Sequence, residues 1–522
     1  MVFSSMDEVR EVGLPVERGS NISVSPDSAR QEPPRFFRRL LLRFQQLQNR
    51  DIRALCTQLL SERGEASQTV LAQELIGTYE ALNDGQRLEF FEILCREFGA
   101  NEAALCSLAG EYQRSPSAAT YQALAAAMES PRQKLFLRMN TAPHGMETLV
   151  AMRGRVGRLL KKHPELDPLD ADLKYLFGLW FNRGFLRLER IGWHTSALIL
   201  EKLIHYESVH EINGWPDLRR RLAPDRRCFA FFHPALTNEP IIFVEIALTQ
   251  GLVGELDPLL DLNAPVLAPE EADTAIFYSI SNCLDGLRGI SFGNFLIKQV
   301  VVELGNELPG LKLYSTLSPL PRFASALGDH GNAEGFTRAR LSRLLGVYAA
   351  RLVQEAKKSD PVDALFHLLE DPLSHRDVLA KPLHRLALAY LTQARVKGHL
   401  VDPVARFHLS NGARLERVNR FGNARSYGLS DSFGIMANYR YVPEEFEENH
   451  ERFVGEGKIR VSKQLLQEYR TVVGLWSEFA YEQYNTGDSK LKKEIPVKQF
   501  APEFKTNRRT RASEFSFQVV NW

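Results

Sequence analysis

Cysteine is scarce in this 522-residue chain: Cys56, Cys95, Cys106, Cys228 and Cys283, with no C-x-x-C pair among them. That excludes a disulfide scaffold and zinc-finger spacing, and points to free thiols in a reducing compartment. Charge of one sign is missing as well. Sixty-five basic side chains face 64 acidic ones, a net of +1, so the whole molecule presents no field for nucleic acid or an anionic membrane. No apolar run approaches the ~20 residues of a membrane helix. The thirteen histidines show no ligand spacing, so no metal site is expected. There is no G-x-S-x-G elbow and no Walker motif, which removes the common hydrolase and kinase readings. The start of the chain lacks the layout of a signal peptide, and Asp7, Glu8, Glu11 and Glu17 argue against a mitochondrial presequence. The last residues, Val519-Val520-Asn521-Trp522, are not a peroxisomal address. A cytoplasmic protein is expected.

What is present is an ordinary globular balance, 44% apolar and 25% charged, with length for two or three domains and a sizeable core. Residues 1–34 are rich in Ser, Pro and charge without a period, and read as a disordered leader. From Phe36 the period turns helical. Phe37, Leu40, Leu41, Phe44 and Leu47 share one face, as do Leu88, Phe91, Leu94, Cys95 and Phe98. Leu105 and Leu108 carry a further short helix, with Asn101 as its N-cap. Residues 35–188 are thus expected to form an all-α bundle. Amphipathic stripes suit an oligomerisation domain and a merely stabilising one equally well.

Strand-like runs begin near residue 190. Cys228–Phe232 and Ile241–Leu248 flank a turn around His233-Pro234 and Asn238-Glu239-Pro240, an expected antiparallel pair. Ala275–Ser281 is a third strand, Asn294–Leu304 a helix ended by Pro309-Gly310, and Leu311–Ser318 a fourth strand. Strand, loop, helix and strand within ~45 residues make a βαβ crossover, so the third and fourth strands should be parallel neighbours. Helices follow at roughly 336–357, 361–371 and 381–396, then strand-like segments around Phe407-His408-Leu409 and Gly434–Tyr441. The catalytic domain is expected over 189–485, with a basic extension over 486–522.

The loop at the head of the crossover helix, Gly286-Leu-Arg288-Gly289-Ile290-Ser291-Phe292-Gly293-Asn294, has the composition of an anion site. Glycines admit close approach of backbone N–H groups, the helix start adds partial positive charge, and Arg288 adds a full one. A plain glycine-rich turn is the competing reading. Ser318, at the end of the fourth strand before Pro319, lies by topology near that loop, because ligands collect at the carboxyl ends of parallel strands. His408 sits between an apolar segment and a polar turn and could be a core residue or a catalyst; His233, in the hairpin turn, is a weaker candidate.

The loop is similar to the pyrophosphate loop of GNAT-type acetyltransferases, with Arg288 and Gly293 matching its ends and Ser291 in place of the middle glycine. An ordered series of segments resembles the malonyl-CoA decarboxylase family: Arg226–Cys228, Asn238–Leu248, Ala275–Ser281, Gly286–Gly289, Phe295–Lys298, Ser315–Pro319, Phe407–Ala413 and Gly434–Tyr441. The resemblance implies an α+β protein, a helical bundle joined to an acetyltransferase-like α/β domain, in a homo-oligomer, tetramer or dimer. It implies malonyl-CoA as substrate, acetyl-CoA and CO2 as products and no cofactor, with Ser318 and His408 as catalytic pair and Arg288–Asn294 as the CoA loop. The family's eukaryotic members carry a Glu where Ser291 stands. Which of Ser318 and His408 would deliver the proton stays open, and so do two rival readings, a CoA-dependent acyltransferase and a non-catalytic CoA-binding scaffold.

Overall fold

The computed structural model describes residues 51–61, 64–290, 296–328 and 335–485. The expected leader, the helix over Phe37–Leu47, residues Ser291, Phe292, Gly293 and Asn294 of the loop, and the basic extension lie outside those residues.

Eight α-helices, from Ile52–Ser61 to Asp167–Trp180, precede the first strand of the described residues. Four of their starts are written in short polar residues. Asn83 and Gln86 form a reciprocal capping box, Asn101 accepts from the Ala104 amide, and Ser130 caps a helix that opens on Pro131. Leu75, Phe91, Phe136, Leu149 and Phe177 are buried in their core. Each such side chain contributes roughly 1.5–3 kcal/mol of transfer free energy.

The rest is a mixed sheet with helices packed on it. Its strands are β1 Arg187–Ile191, β2 Arg226–Phe232, β3 Pro240–Thr249, β4 Thr274–Asn282, β5 Leu313–Thr316 and β6 Ser318–Pro319, then β9 Arg414–Asn419 and β10 Met436–Tyr441. A separate two-stranded ribbon is made by β7 Arg395–Val396 and β8 His399–Leu400. The sheet order is β1-β2-β3-β4-β5-β10-β6, with β9 on β10. The β2–β3 hairpin is antiparallel, and β4 and β5 are parallel, joined by the helix Leu296–Glu307, as the sequence led us to expect.

The β4–β5 pair opens the sheet. Their ladder runs from Thr274 opposite Leu313 to Phe277 opposite Thr316, and the Leu317 amide donates to the Phe277 carbonyl as its last rung. In the β3–β4 ladder Glu245 faces Ser279 and Ile246 faces Phe277, so Tyr278 is an extra residue on β4. A bulge bends its strand, and here it turns β4 away from β5 at the point where pairing stops. Ser318 follows at once on β6, held by Ala437 of β10.

Two expectations need correction. The segment around Phe407-His408-Leu409 is not a strand but the last turns of the helix Pro403–Ser410. Asp402 caps it through the Ala405 amide, Pro403 presets its first turn, and Gly412 at φ 82° ends the chain's helical path. Asp-Pro followed by Asn-Gly frames eight residues, and those helix signals outweigh a short apolar run. The helix expected over 336–357 is two helices, Arg338–Leu345 and Ala349–Ala356, broken at Gly346, where backbone freedom favours the turn.

Candidate active site

A cleft of about 760 Å³ enters the sheet where β4 leaves β5. Tyr278 and Ser279 of β4, Ser318 of β6, the turn Arg288-Gly289-Ile290, and His408 all line it. The Ser, the His and the start of the loop, which lie far apart in the chain, therefore face one space. His233 lines no part of it. Its ring rests against Phe181, and its nitrogens meet the Trp180 carbonyl at 3.2 Å and the Ala235 amide at 3.1 Å, a structural tie between the helical region and the hairpin.

At the floor, His408 Nε2 lies 3.2 Å from Ser318 Oγ, and Nδ1 lies 2.8 Å from the Tyr441 hydroxyl. The Tyr439 ring stacks on the imidazole, centroids 4.7 Å apart. Burial holds the His408 pKa down at about 3, because an imidazolium cannot be solvated there, so the ring is neutral at ordinary pH. A neutral ring carries one N–H, and the hydroxyls decide where. Ser318 donates its single hydrogen to Thr316 Oγ1 at 2.9 Å, leaving its oxygen to accept from Nε2–H. Nδ1 then accepts from Tyr441, whose own ionisation burial pushes far out of reach. Thr316 Oγ1 is in turn fixed by the Tyr439 amide at 3.1 Å. The result is one directed chain, Tyr441 to His408 to Ser318 to Thr316.

A second polar group in the cleft wall, Ser279, has its hydroxyl directed at the buried Glu207 carboxylate at 2.7 Å, which also takes the Val209 and His210 amides at 2.7 Å. The hydrogen is engaged behind the wall, so toward the cleft Ser279 can only accept. The loop wall is held from the helical region. Arg153 donates to the Gly286 and Arg288 carbonyls at 2.7 and 2.8 Å and pairs with Asp170. A Cβ on Gly286 would fall 1.8 Å from the Val150 carbonyl oxygen, so only glycine allows this approach. Arg288 itself is exposed, ion-paired to Asp285 at 3.0 Å.

The charge of the cleft is one-sided. Arg288, Arg322, Lys397 and Arg406 line it, and the described lining contains no Asp or Glu. The arrangement can receive a polyanion at its mouth and hold an uncharged donor chain at its floor. One group able to hold a metal, Glu92, His163 and Glu165, lies among the helices and not in the cleft lining.

Sequence reasoning named Ser318, His408 and Arg288, which line one cleft, and did not name Tyr441, Thr316 or Ser279. For Ser279 and Thr316 a signal existed: hydroxyls inside otherwise apolar buried strands need a partner or a purpose. Tyr441 closes a strand that reads as ordinary β sequence, and only the β10–β5 pairing, with Tyr441 opposite Tyr314, brings it to His408.

Comparison with known proteins gives a consistent picture. Residues 98–181 match the family model for the malonyl-CoA decarboxylase N-terminal domain, and 184–476 that for the malonyl-CoA decarboxylase C-terminal domain. The mitochondrial malonyl-CoA decarboxylase of Anser anser anser is 32% identical over 75% of this chain and 82% of its own. The crystal structure of malonyl-CoA decarboxylase from Rhodopseudomonas palustris is similar with TM-score 0.71 and 44% identity, covering 79% of this chain and 98% of that one. The enzyme from Agrobacterium vitis gives TM-score 0.70 and 42% identity over 80% and 100%.

Proposed function

The chain belongs to the malonyl-CoA decarboxylase family, and on that premise we propose that it releases CO2 from malonyl-CoA through the Ser318–His408 pair without a cofactor. It is an enzyme, a carboxy-lyase. The observation that carries the finer reading is the neutral His408, hydrogen-bonded to Ser318 at the floor of a cleft whose charged lining residues are all cations.

Loss of CO2 from a malonyl thioester, whose carboxylate sits β to the thioester carbonyl, leaves the electron pair of the broken C–C bond in that carbonyl, so the enzyme must stabilise an enolate and then protonate carbon. A donor aimed at the enolate oxygen contributes ~3–4 kcal/mol, and a positioned proton donor ~10²–10⁴-fold. With substrate bound, His408 Nε2–H, set in that tautomer by Tyr441, is shared between Ser318 Oγ and the enolate oxygen, while the Ser318 hydroxyl turns from Thr316 to the substrate and passes to the α-carbon the one proton that each turnover takes up from solvent. A neutral imidazole suits this task, because an imidazolium beside the carboxylate would stabilise the ground state that has to be lost. The turn beginning at Arg288 takes the diphosphate of the thioester carrier.

Purified protein given malonyl-CoA, with chelator and avidin present and no metal or biotin added, should release CO2 and form acetyl-CoA in equal amounts. Binding without turnover would select a scaffold instead. Turnover that required an added acyl acceptor would select an acyltransferase.

The same reading includes a homo-oligomer, dimer or tetramer. The helices Glu102–Arg114 and Ala118–Met128 bury none of their residues, although the second is largely alanine and presents Tyr121 and Met128 outward. Light scattering should find more than one copy in the wild type and a smaller particle for Tyr121→Glu; a monomeric wild type would remove this part. Cytoplasmic residence is proposed on the sparse free cysteines, which suit a reducing compartment, and recovery with mitochondria on fractionation would overturn it.

A further inference from the structure

The cations at the mouth of the cleft do not all belong to the loop. Lys397 stands at the tip of the β7–β8 ribbon, and Arg322 follows the β6 strand by three residues. Both are exposed, and neither has a hydrogen bond or ion pair from its side chain among the described residues. Both also adopt a left-handed backbone, φ 49° for Lys397 and φ 65° for Arg322. That conformation is unfavourable for a residue with a side chain, and glycine, asparagine or aspartate are its usual occupants. In a two-residue hairpin the position before Gly398, at φ 83°, would normally be Asn or Asp. A lysine held there against preference, unpaired, and facing a cleft without acids is poorly explained by folding and well explained by a ligand.

The ribbon is also anchored. Arg395 donates to the Gly457 carbonyl at 3.1 Å, which ties its base to the end of the helix Phe446–Glu456, so the tip is a fixed feature of the wall. Arg406 lines the same cleft from the His408 helix.

We propose that Lys397, supported by Arg322 and Arg406, is the reading site for a phosphate monoester dianion, the 3′-phosphate of a coenzyme A thioester, distinct from the turn at Arg288. This rests on the reading of the substrate as a CoA thioester. The carrier has two anionic groups, a diphosphate and a monoester on the ribose. One cation on the loop and three elsewhere in the lining suit two separate stations better than one.

The test is equilibrium binding of CoA and 3′-dephospho-CoA to the full-length protein, by calorimetry at fixed ionic strength. The wild type should bind CoA at least ~10-fold more tightly. Lys397→Asn, which suits the turn but removes the charge, should bring the ratio to within about threefold of one, and Lys397→Arg should restore most of it. Thermal melting of Lys397→Asn at or above the wild-type Tm would show that the loss is not unfolding. A wild-type ratio near one, or an Asn variant that keeps the full ratio, would overturn the assignment. If the ratio behaves as expected but malonyl-CoA gives no CO2, the decarboxylase reading fails while the phosphate station stands; CO2 release with a ratio near one gives the reverse.

Discussion

The floor and the mouth of this cleft are built on opposite principles. At the floor, His408 and Ser318 are buried, uncharged, and fixed by a chain of neutral hydrogen bonds. At the mouth, Arg288, Arg322 and Lys397 are exposed and charged. The floor gains directionality from low dielectric, where a mis-set donor is costly; the mouth works in water, where a charge is screened but acts at longer range. Chemistry and capture are thereby separated, and substitutions should separate them too.

The largest effects belong to the floor. His408→Asn should lower kcat by ~10²–10⁴-fold with little change in KM, because the donor acts in the transition state. Ser318→Ala should cost at least ~10²-fold in kcat. Stopped assays of CO2 release check both, and near-native turnover in either would detach that residue from the chemistry. Tyr441→Phe leaves the ring in place but frees the tautomer, and a loss of about tenfold in kcat at constant KM is expected. A variant that instead raised KM would make Tyr441 part of substrate binding.

The mouth should respond in KM. Arg153→Ala removes two donors to the loop carbonyls and leaves Asp170 unpaired, so KM for malonyl-CoA should rise several-fold, kcat should hold within about threefold, and stability should fall by roughly 1–3 kcal/mol. A kcat loss as large as that of Ser318→Ala would erase the separation between the two regions.

The pH dependence divides the regions more gently. His408 has a folded pKa of about 3, below its unfolded value of 6.5. Its neutral form therefore persists as pH falls through 6.5, and kcat should show no acid limb there from this ring. The unfolded chain does take up a proton below 6.5, so the stability linked to neutral His408 is present above that pH and is lost progressively as pH falls toward 3. Melting temperatures between pH 7 and 4.5 should accordingly fall less for His408→Asn than for the wild type.

Legibility followed the same division. The crossover, the parallel β4–β5 pair and the Arg288 turn could be read because they are local: glycine placement, strand length and a helix start lie within one stretch of sequence. Ser318 and His408 came from the family resemblance, and the residues by themselves left both ambiguous. The helix under His408 departs from the expected strand because Phe407-His-Leu is a run of only three residues, while the helix signals, Asp402-Pro403 and Asn411-Gly412, lie outside it. Tyr441 and the bulge at Tyr278 were not legible at all. Both depend on which strands become neighbours and in what register, and a single extra residue on β4 decides where the sheet parts. Lys397 was invisible for a related reason: its meaning comes from a backbone angle that the side chain does not favour.

The central claim is that Ser318 and His408 act as one unit, and a double-mutant cycle on kcat tests it most directly. If they form a single relay, Ser318→Ala with His408→Asn should turn over no more than about threefold below the slower single variant. Losses that multiply, or a single variant with near-native turnover, would contradict the account.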